Sequence, residues 1–169
     1  MISAILSSFN EADNPVFWSN LNLLNGRAQI LVVDGGSQDG TLVRLEQLKL
    51  ESTILPGSSR AQRYNHAIEK AKGNLILLVH PRSQLSPQSL DELERVEPRN
   101  IWGAFRHSFD RDHPLLRFTS WYSNEVRGKR RSIFYLDHCL FFSADLRAHC
   151  RFPEVLLFED TYFCNQLRG

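Results

Sequence analysis

Residues 29–41 read QILVVDGGSQDGT, and this stretch decides the fold that we expect. The run QILVVD is typical of a strand buried on both faces of a parallel sheet, and it ends on Asp34. Ligands bind at the carboxyl ends of strands in open α/β sheets. The glycines allow backbone to approach a ligand closely, and Ser37, Asp39 and Thr41 offer hydrogen bonds. An ordinary strand-to-helix turn with Asp39 as helix cap stays open as the alternative.

A second polar group, residues 8–11 (SFNE), follows the first predicted strand at residues 2–7. If this strand neighbours the QILVVD strand, Asn10 and Glu11 come to lie beside Asp34. Two carboxylates and an amide at adjacent strand ends are suited to reading a nucleotide base and its ribose. The alternative is that Asn10 and Glu11 only lead into the next helix.

Apolar runs alternate with amphipathic stretches along the rest of the chain, which predicts an α/β protein. In the second half, an amphipathic helix from His113-Pro114 should turn Leu116 and Trp121 inward, and Phe105 and Phe109 also belong to the predicted core. Further strands are predicted at residues 53–55, 74–80, 101–107 and 139–143, and helices start near residues 14, 39, 59, 86, 113 and 159.

Length, charge and cysteine content limit the class of protein. The 169 residues suit a single domain, residues 1–169, and a net charge of +1 gives no reason to expect a nucleic-acid partner. The three cysteines form no CxxC spacing, which favours reduced thiols over a zinc site. The start MISAILSS does not resemble a signal peptide, and no apolar run approaches the ~20 residues that cross a bilayer. We therefore expect a cytoplasmic protein without a transmembrane segment.

Together the two polar motifs resemble those of family 2 glycosyltransferases. SSFNEAD at residues 7–13, ILVVDGGSQDGT at 30–41 and GSSRAQRYN at 57–65 are similar to segments of that family. WGAFR at 102–106, FPE at 152–154 and the pair Glu159-Asp160 resemble the small bacterial radical-SAM/selenodomain-associated subgroup. The resemblance implies a GT-A fold, a three-layer domain with a mixed, mainly parallel sheet.

The same resemblance implies a function: transfer of a sugar from a UDP- or GDP-sugar to an unknown acceptor hydroxyl, usually with inversion and a Mg or Mn ion. Asn10, Glu11, Asp34, Ser37 and Asp39 would then bind the donor. Arg60 would reach the donor phosphates, and Asp160, next to Glu159, would be the general base. Both acids also suit a helix N-terminus whatever the function. A homo-oligomer or a partner protein is compatible with this resemblance.

The sequence departs from the family at residues 81–83, which read PRS. The family has there an aspartate of its metal-binding DxD-type motif, and this chain has Arg82, which cannot ligate Mg²⁺ or Mn²⁺. In one interpretation Arg82, with Arg60 and Arg63, binds the donor diphosphate in place of the metal. In a second the chain is a catalytically silent GT-A-like domain that binds a ligand or a partner. In a third Arg82 only points to solvent. No metal ligand is predicted.

Two more departures concern the acceptor side. Of the glycine-rich segment around residues 135–139, which reads YLDHC, this chain keeps Asp137, which we assign to the acceptor or phosphate side with Glu159. His138 is interpreted either as a ligand of phosphate or sugar or as a packed histidine. Family members commonly continue well past Glu159-Asp160, so we expect this chain to lack the acceptor-binding segment that follows. A nucleotidyltransferase is disfavoured, because SSFNEAD contains no glycine-rich phosphate loop.

Overall fold

The computed structural model describes residues 1–155 and 157–168. Its strands are β1 (Ile2–Ser8), β2 (Ala28–Asp34), β3 (Ser52–Ile54), β4 (Leu75–Val79), β5 (Trp102–Ala104) and β6 (Leu140–Ser143). Its helices are α1 (Pro15–Leu24), α2 (Thr41–Gln47), α3 (Arg60–Lys70), α4 (Pro87–Glu94), α5 (Pro114–Trp121) and α6 (Glu159–Arg168). A π-helical segment (Tyr122–Arg130) continues α5, and 3₁₀ turns span Leu136–His138 and Ala144–His149.

The six strands form one sheet in the order β3-β2-β1-β4-β6-β5. Strands β1 to β4 are parallel, and β6 is antiparallel to both β4 and β5. The register places Ser8 opposite Asp34 at the ends of β1 and β2. The carboxyl ends of β1, β2 and β4 therefore share one edge of the sheet, which carries the polar loops predicted to form the site.

The sheet is covered on both faces, because its apolar runs project side chains to both sides. One core packs β1 and β2 residues such as Ile5 and Val33 against α3 and α6, where Tyr64 and Phe163 are fully buried. The other packs the opposite side chains of the same strands against α1, α2 and α4. The three-layer α/β architecture with a mixed, mainly parallel sheet is thus confirmed.

Local capping explains where the helices of the first half start. The Asn14 side chain accepts hydrogen bonds from the Val16 and Phe17 amides, and Pro15 occupies the first helical position. Ser59 and Gln62 form a reciprocal capping box that starts α3. These caps fix the ends of the loops that reach the carboxyl edge of the sheet.

The second half differs from its prediction in two respects. The strand expected at residues 101–107 is only Trp102–Ala104, because the next amide, that of Phe105, donates to the His138 carbonyl of the 3₁₀ turn instead of to β6. The prediction that Trp121 and Phe109 belong to the core is wrong, since both are exposed. Helix α5 contains no buried residue, so its amphipathic pattern faces solvent. Phe105 does pack against the core as predicted.

Within the described residues, no helix combines the length and the apolar character that crossing a bilayer requires.

Candidate functional site

The turn after β2 is built around the buried carboxylate of Asp34. Its Oδ1 accepts from the Gly36 and Ser37 amides at 2.8 and 2.6 Å, and its Oδ2 accepts from the Ser8 and Ser37 hydroxyls, both at 2.6 Å. A carboxylate oxygen has two lone pairs, so these four bonds use the full accepting capacity of Asp34. Asp34 therefore shapes the turn and ties β1 to β2 at the edge of the sheet.

Ser37 and Asn10 join this turn to the loop after β1. The Ser37 hydroxyl that donates to Asp34 also accepts from the Asn10 amide at 2.7 Å, and the Asn10 Oδ1 accepts from the Gln38 amide at 3.0 Å. Asn10 has a φ of +56°, a left-handed conformation that asparagine tolerates better than most residues. The pairing of the two motifs expected from their positions in the sequence is thus present.

Asp39 makes a second connection between the two loops. Its Oδ2 accepts from the Ala12 amide at 2.8 Å, and its Oδ1 accepts from the amide and the hydroxyl of Thr41. Some desolvation opposes ionisation, but the hydrogen bonds from Thr41 and Ala12 outweigh it and lower the pKa of Asp39. Asp39 lies one residue before the N-cap of α2, which is Gly40, so the predicted cap is displaced by one position.

Glu11 connects the first loop to the loop after β4. It is buried, its amide donates to the Thr41 hydroxyl at 2.8 Å, and its Oε2 accepts from the Asn14 side-chain amide at 2.6 Å. The same Asn14 amide donates to the Pro81 carbonyl at 2.9 Å. The Glu11 backbone amide thus bonds the start of α2, and the Glu11 side chain holds Asn14, which bonds the loop after β4. The sequence did not indicate this connecting role.

Two arginines from the start of α3 reach the same edge. Arg63 donates to the Ser7 hydroxyl at 2.7 Å and to the Ser58 carbonyl at 2.6 Å. A Cβ at Gly35 would lie 2.5 Å from the Arg63 Nη1, so a larger residue at this position would displace the guanidinium from its place beside the Asp34 turn. Arg60 donates through Nε, at 2.9 Å, and through Nη2 to Oε1 of Glu159.

Glu159 and Asp160 form the first turn of α6. Glu159 is almost buried and paired with Arg60, and Asp160 accepts from the Leu136 amide at 3.3 Å. Burial raises the pKa of Asp160 above its usual value, although hydrogen bonds from the Thr161 and Leu136 amides partly oppose the shift. A carboxylate with a raised pKa takes up a proton more readily, as a general base must.

A cavity of about 710 Å³ lies beside the loop after β4. His80, Arg82, His107 and Asp137 line it, and Asp137 lies 3.9 Å from His107 Nε2 through its Oδ2. The Oδ1 atom of Asp137 is buried without a hydrogen-bond partner among the described residues. Burial and then the charge of Arg60 lower the pKa of His80, which favours a neutral imidazole.

His138, left open between a ligand and a packed residue, is buried with both ring nitrogens in hydrogen-bond contact. Nε2 lies 2.8 Å from the Ser123 hydroxyl and Nδ1 lies 3.0 Å from the Phe105 carbonyl. These contacts favour the packed histidine.

The residues at this edge do not fit a Mg²⁺ or Mn²⁺ site. Such ions require several oxygen ligands, and the position after β4 holds the guanidinium of Arg82. No group of three or more His, Cys, Asp or Glu side chains that could hold a metal occurs within residues 1–155 and 157–168. The side chain of Arg82 makes no hydrogen bond or ion pair with the described part of the chain, so its charge is available to a ligand.

Comparison with known proteins gave matches among solved structures. No family model and no curated protein matches the chain. S. aureus TarS in complex with UDP-GlcNAc matches with a TM-score of 0.74 and 19% identity, over 98% of this chain and 52% of that one. Mannosyltransferase PcManGT from Pyrobaculum calidifontis, in complex with GDP-Man and Mn²⁺, matches with a TM-score of 0.71 and 16% identity, over 98% of this chain and 51% of that one. Glucosyl-3-phosphoglycerate synthase from Mycobacterium tuberculosis, in complex with UDP, matches with a TM-score of 0.57 and 15% identity, over 86% of this chain and 57% of that one.

The chain spans about half the length of these structures. At such identities the likeness establishes the fold, which is the GT-A fold expected from the sequence.

Proposed function

We propose that the chain is a glycosyltransferase of family 2 type that uses a nucleotide sugar as donor. One observation carries the proposal: a single sheet edge brings together the Asn10–Asp34 loops, the cations Arg60 and Arg82, and the buried acid Asp160. These are the groups needed to hold a nucleoside diphosphate and to accept a proton from an attacking hydroxyl. The GT-A fold supports it, since TarS and PcManGT are seen with UDP-GlcNAc and GDP-Man.

The nucleoside of a UDP- or GDP-sugar would lie against the paired loops. Asp34 and Ser37 would act by holding the turn, because their oxygens are already engaged with each other and with neighbouring amides. Asn10 is exposed, and its Oδ1 is used by Gln38, so its Nδ2 is the atom that it would offer to the base or ribose. Glu11 and Asp39 would contribute by fixing the loops.

The diphosphate would be bound by arginine in place of a metal ion. A guanidinium stays charged and binds phosphate oxygens through two parallel hydrogen bonds. Arg82 is the candidate for the direct contact, and Arg60 would reach the phosphate by exchanging its bond to Glu159. PcManGT and the M. tuberculosis synthase are seen with Mn²⁺, and this chain would differ from them in that respect.

The transfer step would proceed by direct displacement. The acceptor hydroxyl oxygen attacks the anomeric carbon, the bond from that carbon to the phosphate oxygen breaks, and the nucleoside diphosphate leaves with the bonding electrons. The hydroxyl proton passes to the carboxylate of Asp160. Asp137, which lines the 710 Å³ cavity, would hydrogen-bond the acceptor, and Glu159 would position Arg60.

The finer assignments belong to the same proposal. Motifs such as WGAFR at 102–106 support membership of the radical-SAM/selenodomain-associated subgroup. The three free, buried cysteines support a reducing, cytoplasmic location, and the continuous sheet supports one domain over residues 1–169.

A thermal-shift screen tests donor binding. The chain is heated with UDP, GDP and their sugars, each with EDTA or with Mn²⁺. A ligand present at roughly 100 times its Kd should add ~2.7 kcal/mol to the free energy of unfolding. We expect at least one nucleotide to stabilise the chain in EDTA, and Lys72→Ala, a change at an exposed residue outside the site, to respond like the parent. If no nucleotide stabilises the chain under either condition, it is a silent GT-A-like domain instead.

A further inference from the structure

Helix α5 and its π-helical continuation expose a stripe of large apolar side chains. Phe118 and Trp121 are 58% and 52% exposed, and Leu115 and Tyr122 are also exposed. The Phe118 ring lies 5.8 Å from that of Trp121 and 6.4 Å from that of Tyr122, so the aromatic rings form one cluster. Contiguous apolar surface of this kind marks an interaction site in a soluble protein.

The stripe continues across a groove onto the start of α6. The groove, of about 570 Å³, is lined by Tyr122 of the π-helical segment and by Leu157, Phe158 and Tyr162 from the start of α6 and the residues before it. These three residues are 69%, 60% and 53% exposed. We call the combined surface the aromatic–basic face; it comprises Leu115, Phe118, Trp121, Tyr122, Leu157, Phe158 and Tyr162 with the basic residues Arg127, Lys129, Arg130 and Arg131.

The positive charge of this face is concentrated. Residues 127–131 read RGKRR, four basic residues in five positions, in a chain whose net charge is only +1. Lys129 and Arg130 are exposed and border Trp121, and Glu125 is the acidic residue that borders the same cavity. Arg127 stacks on Tyr135, 3.9 Å from the ring centroid, which keeps its charge beside the aromatic groove.

We propose that the aromatic–basic face binds the surface of an anionic lipid bilayer. Tryptophan and tyrosine side chains favour the boundary between headgroups and acyl chains, and lysine and arginine next to them attract anionic headgroups. The charge complementarity selects a bilayer over a second copy of this chain. Two copies meeting through this face would bring two RGKRR segments together, whereas an anionic membrane neutralises them.

A bilayer at this face would lie next to the candidate active site. Phe158 immediately precedes the Glu159-Asp160 pair, and Tyr162 follows it after one residue on the same helix. An acceptor anchored in the membrane would then reach Asp160 from the lipid side. This last step rests on the proposed function, whereas membrane binding itself does not.

Vesicle co-sedimentation of the full chain tests the proposal. We expect binding to vesicles of phosphatidylcholine with phosphatidylserine, little binding to phosphatidylcholine alone, and release by salt. Each basic residue near an anionic surface strengthens binding about five-fold, so Lys129→Gln/Arg130→Gln should weaken it about 25-fold. The matched control Lys70→Gln/Lys72→Gln removes the same charge from exposed positions at the end of α3 and should leave binding unchanged.

The apolar contribution is tested separately. Phe118→Ser/Trp121→Ser should weaken binding more than about tenfold, and Val43→Ser/Leu48→Ser, at exposed positions on and just after α2, should not. Trp121 is the exposed one of three tryptophans, so vesicles should shift the emission of the parent to the blue and leave that of Trp121→Ser unshifted.

Two results would overturn the proposal. One is equal loss of binding in the face variants and their controls, which would indicate unspecific charge attraction. The other is the absence of binding to both vesicle types. If the chain then also forms a dimer that the substitutions Phe118→Ser/Trp121→Ser dissociate, the face binds a second copy of the chain. Neither result depends on nucleotide binding, so the thermal-shift screen still judges the proposed function independently.

Discussion

Arg82 stands where the resemblance to family 2 glycosyltransferases implies a metal-binding aspartate. If its guanidinium binds the donor diphosphate, nucleotide affinity should be unaffected by EDTA and should fall as salt screens the exposed charge. Arg82→Ala should then weaken binding by ~1.5–3 kcal/mol, the range for hydrogen bonds to charged groups. Isothermal titration calorimetry with the nucleotide that the thermal-shift screen identifies measures this loss.

Arg82→Asp is the matched comparison, because it introduces the aspartate that the resemblance implies at this position. Without metal it should bind nucleotide worse than Arg82→Ala, since it sets a negative charge beside the diphosphate. With Mn²⁺ it should bind better than Arg82→Ala. If both variants bind like the parent in every buffer, Arg82 lies outside the donor site.

Asp160 is the residue whose ionisation should set the pH dependence of transfer. A general base acts in its charged form, and burial raises the pKa of Asp160. The rate should therefore fall, as the pH is lowered, at a higher pH than an ordinary aspartate would require. Asp160→Asn should reduce kcat by ~10²–10⁴-fold while the Kd for the donor stays unchanged. An unchanged kcat would assign the base to another residue.

The same shift has a consequence for stability. Between the usual pKa of aspartate and the raised value, the folded chain binds more protons than the unfolded chain, so the free energy of unfolding contributed by Asp160 falls as the pH rises through that window. Asp160→Asn carries no charge to desolvate. At neutral pH, urea unfolding should therefore show that Asp160→Asn is at least as stable as the parent. A fall in kcat of this variant can then be assigned to loss of the base and not to loss of the fold.

At the scale of elements, Asp39 ties the loop after β1 to the start of α2. Asp39→Ala removes the bonds to the Ala12 amide and to Thr41, and should lower the free energy of unfolding by about 1 kcal/mol, a modest value because water screens this exposed carboxylate. The pKa of Asp39 is lowered in the folded chain, so this stabilisation is present above the unfolded pKa and is lost as the pH falls through the folded value.

Urea unfolding at neutral and at acidic pH measures the effect. Asp13→Ala is the control, since Asp13 is an exposed carboxylate in the same loop. The difference between Asp39→Ala and the parent should shrink at acidic pH, and a difference that persists unchanged there would contradict the assigned hydrogen bonds.

The elements that the sequence predicted well carry their own local signals. β1 and β2 are rich in apolar residues, Asn14-Pro15 starts the helix that follows β1, and Ser59 caps the helix that follows β3. The helical spacing of apolar residues also predicts α5, but this spacing does not indicate whether another element covers the apolar face. That is why Trp121 was expected inside and lies outside.

The candidate site shows the same division. Contacts across neighbouring parallel strands, such as Ser8 with Asp34, follow from the register once the strand order is known. The pairing of Arg60 with Glu159 joins residues 99 positions apart, and no local pattern marks it. The engagement of all the lone pairs of Asp34 likewise depends on how two loops pack, which the motif alone does not specify.

At the scale of the whole molecule, the Arg60–Glu159 pair joins α3 to α6, the last described helix, across the proposed diphosphate site. Glu159 is only 10% exposed, so Arg60→Ala leaves a nearly buried carboxylate without its cation. The free energy of unfolding of this variant should be lower by about 1–2 kcal/mol. The loss is no larger because Arg60 is partly exposed and water screens its charge. Glu159→Gln should cost less, because a neutral amide is less expensive to leave unpaired.

The two changes should act on donor binding with opposite signs. Glu159→Gln releases Arg60 from its ion pair, so the guanidinium reaches a diphosphate without first breaking that bond, and nucleotide should bind more tightly than to the parent. Arg60→Ala removes the phosphate ligand and should bind more weakly, and the double variant should bind like Arg60→Ala because no arginine remains to be released. Calorimetric titration of the three variants checks this order. If Glu159→Gln weakens binding as much as Arg60→Ala does, the pair acts as a fixed structural link between the two helices, and the diphosphate is held by other groups.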